Sequence, residues 1–217
     1  MSTDNQTLSN ILQNIRNGTI TKVVNLTDKT IGPEGAKELA KALEGNKTIT
    51  DLYLMENNIG ATGATELAEA LKGNKSITTL DLRDNNIGPE GAKELAEALK
   101  VNSKITIVDF AKNNIGATGA KELAEALEGN KSITFLDLYD NNIGDVGATA
   151  LAKALEGNST ITDLYLDSNN IGYVGTRALA KALEGNSTIT SLGLSGNDLG
   201  GFFFTGATAL AKAIKKN

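Results

Sequence analysis

The chain has 217 residues, of which 40% are hydrophobic and 22% charged, with a net charge of −5. That composition belongs to a folded globular protein, and an acidic balance with no long basic run argues against a binder driven by nucleic-acid phosphates. Cysteine and histidine are both absent, which excludes disulfides, thiolate metal sites and every catalytic arrangement that needs an imidazole.

The chain starts MSTDNQTLSN, a polar stretch with no apolar signal region, and no apolar run approaches the ~20 residues that cross a bilayer. The expected location is cytoplasmic, with no membrane contact; delivery into a host by a dedicated secretion system is compatible with this reading. Leu8, Ile11, Leu12 and Ile15 follow helical spacing. Residues 1–18 are therefore expected to form a helical half-repeat that caps the core. A first strand carries Val24 and Leu26, with one extra residue between Ile20 and Leu26 compared with later copies.

From there the chain repeats. The string NNIG recurs at Asn57, Asn85, Asn113, Asn141 and Asn169, 28 residues apart, and a degenerate copy starts at Asn197. Each repeat opens with alternation, as in Leu52 and Leu54, so both leucines point to one face of an extended segment. It then changes period: Ala64, Leu67, Ala68 and Leu71 form the stripe of an amphipathic helix. Pro33 and Pro89 fall in the first helical turn, where no donor is lost. The pairs Gly45-Asn46, Gly73-Asn74, Gly129-Asn130, Gly157-Asn158 and Gly185-Asn186 suit left-handed helix ends, and Val101 predicts a different ending for one helix. One strand–helix unit cannot bury its own apolar face, whereas stacked units can. Residues 19–217 are expected to form one such stack of about seven repeats. Strands lie closer together than helices can, so the stack curves with its strands inside.

The pattern Ile49-xx-Leu52-x-Leu54-xx-Asn57-x-Ile59 resembles the leucine-rich-repeat signature. Its length and helical second half resemble the ribonuclease-inhibitor-like class, which includes the repeat domains of NOD-like receptors and the Ran GTPase-activating protein. The resemblance implies an α/β fold, a right-handed solenoid or horseshoe with parallel strands on the concave face and helices on the convex face. It also implies protein binding on the concave face, and a structural ladder of Asn57, Asn85, Asn113, Asn141, Asn169 and Asn197. Lys29 stands where the first repeat would carry its ladder asparagine.

Candidate binding residues lie between and beside the core leucines of the strands. Asp81, Asp109 and Asp137 are expected to stack on adjacent strands, where like charges repel. The chain has only four Tyr and five Phe, and Tyr53, Phe135, Tyr139 and Tyr165 all fall on this face. With Ile107 they form a candidate partner-binding patch beside the acidic strip, suited to a protein with a basic surface element. A flat strip of carboxylates lacks the wrapping loop that Ca²⁺ requires, and a carboxylate pair without a cleft or oxyanion donors does not make a hydrolase. No cofactor, metal site or catalytic residue is expected.

The last repeat carries a three-residue insertion containing Phe202, Phe203 and Phe204, read either as a cap over the core edge or as a self-association site. The expected function is non-catalytic protein–protein interaction by a monomer. Two alternatives stay open: a scaffold or designed consensus-like array with no cognate partner, and a regulator of a small GTPase.

Overall fold

The computed structural model describes residues 7–199. Helices and strands alternate along them: α1 (Leu8–Arg16), β1 (Lys22–Asn25), α2 (Gly32–Leu43), β2 (Ile49–Tyr53), α3 (Gly60–Gly73), β3 (Thr79–Asp81), α4 (Gly88–Val101), β4 (Ile107–Asp109), α5 (Gly116–Gly129), β5 (Phe135–Asp137), α6 (Gly144–Gly157), β6 (Asp163–Tyr165), α7 (Tyr173–Leu183) and β7 (Ser191–Gly193). The strands form one parallel sheet in chain order. From β2 onward each residue pairs with its own copy in the next repeat: Leu52 faces Leu80, Leu80 faces Val108, and Val108 faces Leu136. The sheet is open at both ends of the described stack.

The core lies between the sheet and the helix layer. Ile49, Leu52, Leu54 and Ile59 enter it from the strand side, and Ala64, Leu67, Ala68 and Leu71 from the helix side, all buried. Each buried leucine or isoleucine contributes roughly 1.5–3 kcal/mol. Phe110 fills the position that Leu54 and Leu82 occupy in their repeats and is fully buried. Small residues let the helices approach one another. A Cβ on Gly63 would lie 2.6 Å from Cγ2 of Ile59 and 2.9 Å from Cβ of Ala36, so even alanine there would push α3 off α2.

The helices start in an unusual way. None of α2 to α6 has a side-chain cap. Their first N–H is satisfied by the next repeat instead, as where Gly60 N–H donates to the carbonyl of Asn85 at 2.9 Å. Helix α7 breaks the pattern: Oδ1 of Asp145 accepts from Gly172 N–H at 2.8 Å and Gly175 N–H at 2.7 Å.

The helix ends differ from expectation. Gly45 is left-handed, with φ +70°, but Gly73, Gly129, Gly157 and Gly185 are not. In α3, α5 and α6 the glycine is the last helical residue, and the following asparagine turns extended and anchors the exit through its side chain. Val101 ends α4 in the same manner before Asn102, so the expected exception is none. In the first repeat, Ile11, Leu12 and Ile15 of α1 are buried. The β1–β2 register shifts between Lys22 and Val23, and Lys22 holds φ +74°.

Candidate partner-binding face

Two rows of asparagine frame the strand face. In the first, Nδ2 of Asn113 donates to the carbonyls of Leu82 (2.8 Å), Phe110 (3.0 Å) and Ala111 (3.0 Å). Its Oδ1 accepts from the N–H groups of Asn85 (3.0 Å) and Ile87 (3.3 Å). Asn57, Asn85, Asn141 and Asn169 repeat the arrangement and are buried. Asn197 is half-buried, and its Oδ1 accepts from Asn169 N–H at 2.8 Å. In the first repeat Lys29 N–H donates to Oδ1 of Asn57 at 3.0 Å. The residues on either side of Asn57, Glu56 and Asn58, have φ of 57° and 51°. The chain thus turns tightly around the amide.

The second row is not evident from sequence. Asn74, Asn102, Asn130, Asn158 and Asn186 are buried where each helix hands over to the next strand. Nδ2 of Asn102 donates to the carbonyls of Leu71 (2.8 Å) and Asn74 (3.1 Å). Its Oδ1 accepts from Lys104 N–H (2.8 Å) and Ile105 N–H (3.0 Å). The 28-residue spacing of these residues is visible in the chain, but a Gly-Asn pair reads first as a helix end.

Between these rows lies the strand face. The three aspartates do face one another across β3, β4 and β5. Each also holds its own backbone locally, since Oδ1 of Asp81, Asp109 and Asp137 accepts from the N–H two residues on, at 3.0, 3.0 and 2.8 Å. The strip is not a bare row of like charges. Nε of Arg83 donates to Oδ2 of Asp109 at 3.1 Å, and Nη2 donates to the same oxygen. Asp109 is buried, at 7% exposure, so the structure removes it from the accessible candidates. Burial raises the carboxyls of Asp81 and Asp137 above the ordinary range, with the charge of Asp109 adding to the rise. The Arg83 guanidinium is held still more firmly protonated by its bond to Asp109.

The aromatic candidates divide. The rings of Phe135 and Tyr165 meet at 5.4 Å between centroids, tilted by 47°, a favourable aromatic geometry. Ile107 faces Phe135 across the sheet. Ile107 and Tyr139 are 39% and 37% exposed, and Nζ of Lys112 lies 6.0 Å from the Tyr139 ring. The Tyr165 hydroxyl and Ser191 Oγ are 3.1 Å apart. Tyr53, on β2, is separated from Phe135 by β3 and β4 and does not join this group. Asp163 faces Phe135, and Oδ1 of Asp167 accepts from Ser195 N–H at 2.8 Å. Phe202, Phe203 and Phe204 lie outside the described residues. Among the described residues no group of three or more acidic side chains is arranged to hold a metal ion, and no helix is long and apolar enough to cross a membrane.

Comparison with curated protein sequences finds no match. Among solved structures, the fold is similar to one titled Leiomodin-1 Actin-Binding Site 2, with 24% identity over 69% of this chain and 86% of that one, at a TM-score of 0.59. It is also similar to the tropomodulin C-terminal domain of Caenorhabditis elegans, with 14% identity over 97% of this chain and 93% of that one, at a TM-score of 0.51. At these identities the likeness concerns the fold alone. The Leucine Rich repeat family matches residues 45–68, 73–96, 101–124, 129–152, 157–180 and 185–211. With six matched segments in phase with the strand–helix repeat, the chain belongs to the leucine-rich-repeat family.

Proposed function

We propose that the protein is a non-catalytic binding module that takes a partner protein on the C-terminal half of its strand face, through Ile107, Phe135, Asp137, Tyr139 and Tyr165. The observation that carries this reading is the Phe135–Tyr165 ring pair, flanked by exposed Ile107 and Tyr139. Aromatics clustered at the centre of a surface are typical binding anchors. The surrounding charge is acidic: Asp81, Asp109, Asp137, Asp140, Asp163 and Asp167 stand against Arg83 and Lys112. The complementary partner carries a basic element. Tyr53 and Asp81 belong to the rim of this surface at most, and Asp109 supports it from beneath.

The test compares capture by the intact protein, by a Phe135→Ala/Tyr165→Ala variant and by a Val146→Ser control, since Val146 is an exposed helix residue at 70% exposure. Actin belongs among the purified ligands assayed, because the leiomodin-1 structure is titled an actin-binding site. The expected result is a partner held by the intact protein and the control, and weakened more than about tenfold by the double variant. A partner held equally by all three would place binding elsewhere.

A further inference from the structure

The Arg83–Asp109 pair shows what the repeat does with an aspartate on this face when a cation is at hand. Arg83 reaches Asp109, 26 residues further on, from just past the end of the strand before. The same offset relates Ala111 to Asp137, one repeat later. The alanine side chain carries no donor, and among the described residues no lysine or arginine forms an ion pair with Asp137. Asp137 thus repeats the position of Asp109 without its cation. It is half-buried, and it lies on the strand that carries Phe135, opposite Tyr165 and two residues before Tyr139.

We infer that Asp137 is the anchor for a single arginine side chain of the partner, which donates to the carboxylate as Arg83 does to Asp109 and lays its guanidinium plane against the neighbouring Phe135, Tyr139 and Tyr165 rings. Arginine suits this place better than lysine. Its planar fork offers several donors to one carboxylate and stacks on aromatic faces, whereas an ammonium is a compact, strongly hydrated charge. Desolvation holds the Asp137 carboxyl above the ordinary range, Asp109 and Asp167 add to the rise, and the Tyr139 N–H and the Arg83 charge oppose it. An incoming cation reverses that rise, so seating it and ionising Asp137 reinforce one another. The inference rests on the reading of the strand face given above.

The test uses the full chain and two probes, N-acetyl-arginine amide and its uncharged counterpart N-acetyl-citrulline amide, followed by NMR. The expected result is a saturable response to the arginine probe at Asp137, Tyr139 and Tyr165, with the citrulline probe about tenfold weaker or worse. Asp137→Asn keeps an acceptor for the Tyr139 N–H, and it should weaken the arginine response by a similar factor. Ala111→Arg supplies the cation from within; it should abolish the response and lower the titration midpoint of Asp137. Equal responses to both probes overturn the inference, as does a folded Ala111→Arg variant that still responds like the parent. If Ala111→Arg does not fold, the Asp137→Asn comparison decides alone. If the arginine response is absent while Phe135→Ala/Tyr165→Ala still abolishes partner capture, the arginine anchor falls and the strand-face reading stands.

Discussion

The asparagine rows and the strand face are set by the same 28-residue period, yet one keeps its residue type through repeat after repeat and the other does not. Each row asparagine satisfies backbone groups of its own repeat and of the one before it, so a different side chain would strand polar groups on both sides. The strand-face position carries a lighter obligation: the side chains of Asp81, Asp109 and Asp137 each hold a single backbone N–H, within their own repeat. The position held by Asp81, Asp109 and Asp137 becomes Tyr53 and Tyr165 elsewhere, and the position of Arg83 becomes Ala111 and Tyr139. Uniformity therefore marks the residues that hold the stack together, and the strand face, where the residue type varies, is the surface we propose for recognition.

That contrast can be broken first at the rows. Asn113→Ala removes a fully buried amide with five side-chain hydrogen bonds. The expected loss is about 3–5 kcal/mol, read from urea unfolding, given ~1–3 kcal/mol for each stranded buried group and partial relaxation around it. Asn130→Ala, in the row at the other edge, removes four bonds to backbone groups and one to the Ser132 hydroxyl and is expected to lose about 2–4 kcal/mol. A loss below about 1 kcal/mol at either site would mean that uniformity there has another origin.

The next test concerns Arg83. Its side chain is 43% exposed while that of Asp109 is 10% exposed. Solvent screening limits the pair, and Arg83→Gln is expected to lose about 1 kcal/mol. Most of that loss should vanish in an Asp109→Asn background, because asparagine keeps the acceptor for the Ala111 N–H without a charge to neutralise. Equal losses in both backgrounds would show that Arg83 acts by packing alone.

The smallest effect is a gain. Asp81 and Asp137 titrate above the ordinary aspartate range in the folded protein, first through burial. Their charged forms therefore oppose folding. The opposition is full above the folded value and fades as pH falls toward the unfolded value of about 3.9. Asp81→Asn and Asp137→Asn should each stabilise the protein at neutral pH, and the gain should disappear in acid. A gain that persists unchanged into acid would remove charge as its cause.

Much of this is legible in the residues. The alternation of Leu52 and Leu54 followed by the helical stripe Ala64, Leu67, Ala68 and Leu71 specifies one strand–helix unit, and its return every 28 residues specifies the stack. The Asn74 row is hidden because Gly-Asn is also a helix-ending signal, and only the folded chain brings an amide to a carbonyl 31 residues back, as Asn102 reaches Leu71. Asp109 looks accessible from its position along the strand; its burial and its bond to Arg83, which reaches it from just past the end of β3, appear only in the folded chain. Asp145 gives a weaker signal: it stands where other repeats have proline, alanine or tyrosine, and its carboxylate takes two N–H groups at the start of α7. Tyr53 looks equivalent to Tyr165 by position, but three strand spacings of ~4.8 Å separate it from Phe135.

The claim that recognition sits where the repeat varies is tested most directly by hydrogen-exchange footprinting of the full chain with a captured partner. The expected result is protection at residues 107–111, 135–139 and 163–167, with the helices α4, α5 and α6 unchanged. Protection confined to those helices, with the strand face exchanging as in the unbound protein, would contradict it.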